Sequence, residues 1–145
     1  MTALHACFIA FAITETLNLL ELYFMQDNCI FNGACIYTAW EKSKQIPEVN
    51  ELMRYLINWI AGIKLIVVGL VLVLVFTAPE QTLIWSAVVM ILTIGSFFWR
   101  MYPMMRKADD AGQILAKGRS RLLAYMVAGL QLSFLITMVI TLVTR

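Results

Sequence analysis

Three runs of this chain, Tyr55 to Thr77, Thr82 to Trp99 and Leu122 to Val143, are almost wholly apolar, and each is close to the roughly 20 helical residues that cross a bilayer core about 30 Å thick. In water each would leave a cylinder of apolar surface that a 145-residue chain is too short to cover. The rest of the chain does not offset this. Its hydrophobic fraction is 61% and its charged fraction 14%, against roughly 45–50% and roughly 25% in soluble domains, so lipid is the expected solvent. A fourth run, Ala3 to Met25, is interrupted by Glu15, Asn18 and Glu21. Its apolar residues nevertheless lie on nearly all sides, unlike an in-plane amphipathic helix, and it reads as a further span. The expectation is one all-α membrane domain over residues 1–145. It is a four-transmembrane-helix bundle made of two antiparallel hairpins, with long loops at 26–54 and 100–121 that carry helix extensions.

The punctuation between spans supports these boundaries. Pro47, followed by Glu48 and Glu51, suits a first helical turn, where a missing N–H is harmless and negative charge meets the positive dipole end. Thr77-Ala78-Pro79-Glu80-Gln81 reads as a tight turn joining spans two and three. Pro103 should weaken the third helix, and Asp109 or Asp110 should cap the fourth, which would then run some three turns before entering lipid. Lys and Arg set the orientation. Arg100, Arg106, Lys107, Lys117, Arg119 and Arg121 lie in one long loop, Lys42, Lys44 and Arg54 in the other, and none in the 78–81 turn. By the positive-inside rule both long loops are cytoplasmic and both termini non-cytoplasmic. Trp40, Trp59 and Trp99 fall at the cytoplasmic boundary and Trp85 at the outer one, where amphipathic rings prefer to sit. The stretch from Asn28 to Trp40 is too short to span and is expected along the cytoplasmic surface, with Gly33 as a break. The N-terminal run has no basic flank and no small-residue cleavage site, so it does not read as a cleaved signal peptide.

Ionisable groups at a bilayer's centre cost roughly 2.5–3.5 kcal/mol each and need partners or water. Glu15, Glu21, Lys64 and Arg100 qualify. Counted at about 1.5 Å per residue from the cytoplasmic ends, Glu15 and Lys64 reach the same depth, which makes an ion pair between them the simplest arrangement. The same count brings Glu21 towards Arg100. Glu15, Asn18 and Glu21 form a polar stripe on the first helix, which Asn58 and Gln131 can extend by hydrogen bonds. On the fourth helix Gly129, Ser133, Thr137 and Thr141 recur every four residues, a small-residue seam that lets helices approach closely, with the partner helix expected inside the chain.

The basic set Arg106, Lys107, Lys117, Arg119 and Arg121 suits contact with anionic lipid headgroups at about 1 kcal/mol per residue, although its role in topology already accounts for it. Cys7, Cys29 and Cys35 show no metal or CxxC spacing and read as packing residues. Met101, Met104 and Met105 read as adaptable packing rather than metal ligands. A net charge of +2 and the absence of nucleotide, dinucleotide, haem and HExxH motifs point away from nucleic acid and from those cofactor chemistries. No cofactor, metal or catalytic residue is expected. The function expected from these residues is that of a small subunit in a larger or homo-oligomeric membrane assembly, its partners being membrane lipids and other subunits or copies of itself. The alternative is a proton- or cation-coupled transporter or channel working through the carboxylates of the first helix. A lipid-modifying enzyme built on Lys64 or Glu21 is a weaker third reading.

Overall fold

The computed structural model describes residues 2–29 and 32–144. Five helices follow one another, α1 (Ala3–Phe24), α2 (Thr38–Ser43), α3 (Pro47–Thr77), α4 (Glu80–Asp110) and α5 (Arg119–Val143), and no strand forms among the described residues. The four long ones are long and apolar enough to cross a membrane. Thr2 precedes α1 with its N–H donated to Nδ1 of His5, 3.3 Å away, so the single histidine closes a helix end. Pro47 opens α3 as expected, and Pro79 caps α4.

The departures from expectation lie at the charged end. Pro103 does not end α4, which continues to Asp110. At about 1.5 Å per residue α4 is about 46 Å long, some 16 Å more than a hydrocarbon core needs. The extension expected before the fourth long helix is therefore absent: α4 runs on to Asp110, and α5 begins only at Arg119. The reason lies in Asp109, whose carboxylate accepts hydrogen bonds from the backbone N–H groups of Gly118 (3.0 Å) and Ser120 (3.1 Å) and from Ser120 Oγ (2.6 Å). Asp109 is thus the cap of α5, reaching it from the last turn of α4 across the loop instead of starting a helix itself.

α1 packs along α3, α5 packs along α4, and α1 and α5 close the bundle between them. The four long helices meet in one cluster comprising Leu4, Phe8, Phe11 and Ala12 of α1, Val71 and Val75 of α3, Leu83, Ile84 and Ala87 of α4 and Phe134 of α5. Phe134 presents its ring edgewise to Phe8 and Phe11, at centroid separations of 5.0 and 5.8 Å, the arrangement that aromatic quadrupoles favour. Ala12, Ala61 and Ala87 are buried, and their small side chains let the backbones approach. Between α4 and α5, Gln131 Nε2 donates to the carbonyl of Ile91 at 3.0 Å. Gly95 makes room for it, since a Cβ there would stand 2.9 Å from Nε2.

The seam on α5 is only partly internal. Thr141 is buried, but Gly129 and Ser133 face outward and Thr137 is half-buried. Phe134 sets the inward face, and its sequence neighbour Ser133 lies about 100° round the helix from it.

Candidate functional site

Lys64 of α3 donates to the carboxylate of Glu15 on α1, forming a salt bridge whose side chains are 30% and 22% exposed. Each charge meets its counter-charge where a long apolar helix would otherwise carry it alone. Neither Asn58 nor Arg100 is bonded to this pair. Glu21 is buried, with 3% exposure, on the same helix. Arg100 is exposed on α4 and has no salt bridge among the described residues. The expected pairing of Glu21 with Arg100 is therefore corrected. It fails because α1 packs mainly on α3 and α5 and touches α4 little. Asn58 is exposed and accepts from Gln26 Nε2 at 2.9 Å, well along α3 from Lys64.

Asn58 belongs to a second polar centre, at the charged end. Arg54 donates to Asn50 Oδ1 (3.0 Å), Gln26 Oε1 (3.2 Å) and Asp27 Oδ2 (3.2 Å). Asp27 also receives Lys44 Nζ at 3.0 Å and the indole N–H of Trp40 at 3.1 Å. Asn32 Nδ2 donates to the carbonyl of Gln26, and Asn32 Oδ1 accepts from the N–H of Ala34. A cavity of about 600 Å³ opens beside these groups, lined in part by Tyr23, Gln26, Asp27, Arg54 and Asn58. Trp40 is the anchor. It is 0% exposed, packed with Leu19, Leu22, Cys35, Ile57 and Ala61, and the guanidinium of Arg54 lies 5.7 Å from its ring centroid, within cation–π range. Trp40 is thus turned into the protein, whereas Trp59, Trp85 and Trp99 are exposed. The 28–40 stretch does not lie free along a surface: it turns back and docks on α1 and α3. Its residues 30 and 31 lie outside the described residues.

Cys29 and Cys35 form a disulfide with a Cα–Cα separation of 5.1 Å, correcting their reading as packing residues. The turn at 32–37 brings the two together although their spacing in sequence matches no usual motif. The two charged loops are also joined to each other. Thr38 N–H donates to the Gln113 carbonyl and Leu115 N–H to the Ile36 carbonyl, both at 2.9 Å, an isolated antiparallel bridge between Tyr37 and Ile114. Ile36, Met105 and Ile114 pack beneath it, and Arg119 Nη2 donates to the Cys29 carbonyl at 3.0 Å. Of the basic set, Arg119 therefore fastens the loops, Lys107 and Lys117 are exposed, and Arg106 and Arg121 line a cavity between α4 and α5. Gln26, Asp27, Asn32 and Lys44 escape sequence reasoning because they acquire partners only through long-range docking.

The Asp27 carboxyl is held below the usual carboxylate range, first by the Lys44 ammonium and further by Trp40 and Arg54, with partial burial opposing them. A folded-state pKa below the unfolded value means that the contribution is present above about pH 4 and is lost as pH falls through the lowered folded value. Docking of the Trp40 segment is therefore expected to loosen in acid below about pH 4, as a red shift of Trp fluorescence. Asp27→Asn should remove that part of the pH dependence, and an unchanged acid profile in the variant would rule out this assignment.

The two polar centres differ in what they can do chemically. The Glu15–Lys64 pair can hold two helices in register. The Arg54–Asp27 centre holds a loop against the bundle. Among the described residues no group of His, Cys, Asp and Glu is arranged to hold a metal ion. Comparison with protein-family models, with curated proteins and with solved structures finds no match to this chain.

Proposed function

We propose that this chain is a multi-pass integral membrane protein serving as a non-catalytic subunit of a membrane assembly, either with other proteins or with copies of itself. Its four long helices would cross the bilayer as antiparallel neighbours, with the 26–54 and 100–121 loops cytoplasmic and both termini on the other side. The carrying observation is the Glu15–Lys64 salt bridge. A charge pair neutralised between two helices secures their register, and partly buried polar pairs of this kind help fix which helices associate. The outward faces of Gly129 and Ser133 on α5 support contact with a helix from outside the chain, since small residues there leave backbone open to close approach. The joining of the two long loops supports their sharing one side of the membrane, and their Lys and Arg content supports the cytoplasm as that side. Cys29 and Cys35 would then face a reducing compartment, where disulfides are rare or transient. A pair that is permanently oxidised in intact cells counts against this orientation.

The test is the mass of the particle extracted in mild detergent, together with the identity of everything that co-purifies. A particle larger than one 16.5 kDa chain plus its detergent is the expected result, and a lone monomer overturns the proposal. The partial exposure of Glu15 and Lys64 favours one second reading, a proton- or cation-coupled transporter or channel using this pair. For that reading Glu15→Gln and Lys64→Ala must abolish flux in sealed proteoliposomes. Unchanged flux, or a particle that simply falls apart, returns the pair to assembly.

A further inference from the structure

The cavity between α4 and α5 has a volume of about 260 Å³ and is lined by Tyr102, Arg106, Arg121, Ala124 and Tyr125. Its polar residues form two one-turn pairs, Tyr102 with Arg106 on α4 and Arg121 with Tyr125 on α5, each spaced by four so that the two side chains stack on one face. α4 ends and α5 begins at the same loop, and the two helices pack along each other. Both arginines therefore lie nearer that loop, and both tyrosines lie about 6 Å further along the helices.

Neither Arg106 nor Arg121 has a salt bridge among the described residues. Asp109, the carboxylate three residues beyond Arg106, is engaged by Gly118 and Ser120. Two guanidinium groups thus share one opening with no salt bridge to either among the described residues, although the charge of Arg121 also acts on Asp109. Guanidinium is the group that matches phosphate oxygens in a planar, two-pronged fashion. Tyrosine prefers the boundary layer below the headgroups, where its ring is apolar and its hydroxyl can meet a polar group.

We propose that this cavity is a binding site for a phosphodiester, supplied by the headgroup of an anionic phospholipid, with the phosphate between Arg106 and Arg121 and the ester region beside Tyr102 and Tyr125. Basic pockets between helices on the positively charged side of a membrane protein are suited to such headgroups. The volume, about nine times a water's share of the liquid, fits a phosphate and a small alcohol. The proposal rests on the membrane reading above and goes beyond it by assigning a ligand class to one site.

The full-length protein, purified in mild detergent and stripped of lipid, is to be titrated with phosphatidylglycerol and with phosphatidylcholine and the bound lipid counted by native mass spectrometry. The expected result is preference for phosphatidylglycerol and a loss of about thirtyfold in its affinity on Arg106→Gln with Arg121→Gln, from two contacts of the strength basic residues show at such surfaces. Lys107→Gln with Lys117→Gln removes the same charge outside the cavity and should cost less than about a third of that factor. Equal losses in the two pairs would mean diffuse attraction and overturn the site. Displacement of the lipid by millimolar inorganic phosphate would assign the cavity to a soluble phosphate and overturn the lipid source. If the Gln pair does not fold, Arg106→Lys with Arg121→Lys keeps the charge and removes the two-pronged geometry, and undiminished affinity in it overturns the proposal. Particle mass, measured on the same samples, tests the assembly reading separately.

Discussion

Replacing Lys64 with methionine is expected to destabilise the folded chain in a bilayer or detergent micelle by about 3 kcal/mol, because Glu15 then sits on an apolar helix with no counter-charge. Glu15→Gln should cost a comparable amount by stranding Lys64. The double variant Glu15→Gln, Lys64→Met should recover most of the loss, ending within about 1 kcal/mol of the parent, since an apolar side chain against an amide leaves no buried charge. The difference between the double variant and the sum of the singles isolates the interaction. Steric trapping or thermal unfolding in a defined detergent measures all three. Strictly additive losses, or single variants as stable as the parent, would mean that the salt bridge contributes nothing to holding α1 on α3.

The second large effect is expected at Trp40. It is wholly buried, at the meeting point of α1, α2 and α3, and its indole N–H is bonded to Asp27. Truncation to alanine leaves a cavity and should cost about 3–5 kcal/mol, concentrated in the docking of the 26–46 segment. Rapid proteolysis within that segment, with the long helices retained, is the expected readout. Trp59→Ala, at an exposed position on α3, should change stability by no more than about 0.5 kcal/mol in detergent. If both variants resist protease as the parent does, Trp40 is not the anchor.

The helices and the loops were unequally legible in the sequence. Hydropathy and length locate the four long apolar helices, because a run of apolar residues needs no knowledge of its neighbours. The pairing of Glu15 with Lys64 could be reached from depth alone, since two residues on adjacent helices at one depth are within reach of each other. Arg100 could not be placed that way: depth does not say which helices are neighbours, and α1 touches α4 little. The outward turn of Gly129 and Ser133 depends similarly on which face Phe134 claims. Pro103 misleads because a proline inside a helix removes one backbone donor, a loss that α4 sustains on its way to Asp109. The loops were the least legible. Trp40, Asp27, Cys29 and Cys35 look unremarkable singly and gain their roles only when residues far apart in sequence meet.

The bridge between the loops also bears on how the protein is made. Thr38 and Ile36 leave the ribosome early, but the backbone groups they bond belong to Gln113 and Leu115, about 75 residues later in the chain. At about 5–20 residues per second, these groups wait roughly 4–15 s for their partners. During that interval Glu15 can already meet Lys64, so the first helix pair is expected to be set before the loops close. Interrupting translation before Gln113 should then leave a chain without α5 that keeps the α1–α3 pairing with its polar loop unfastened.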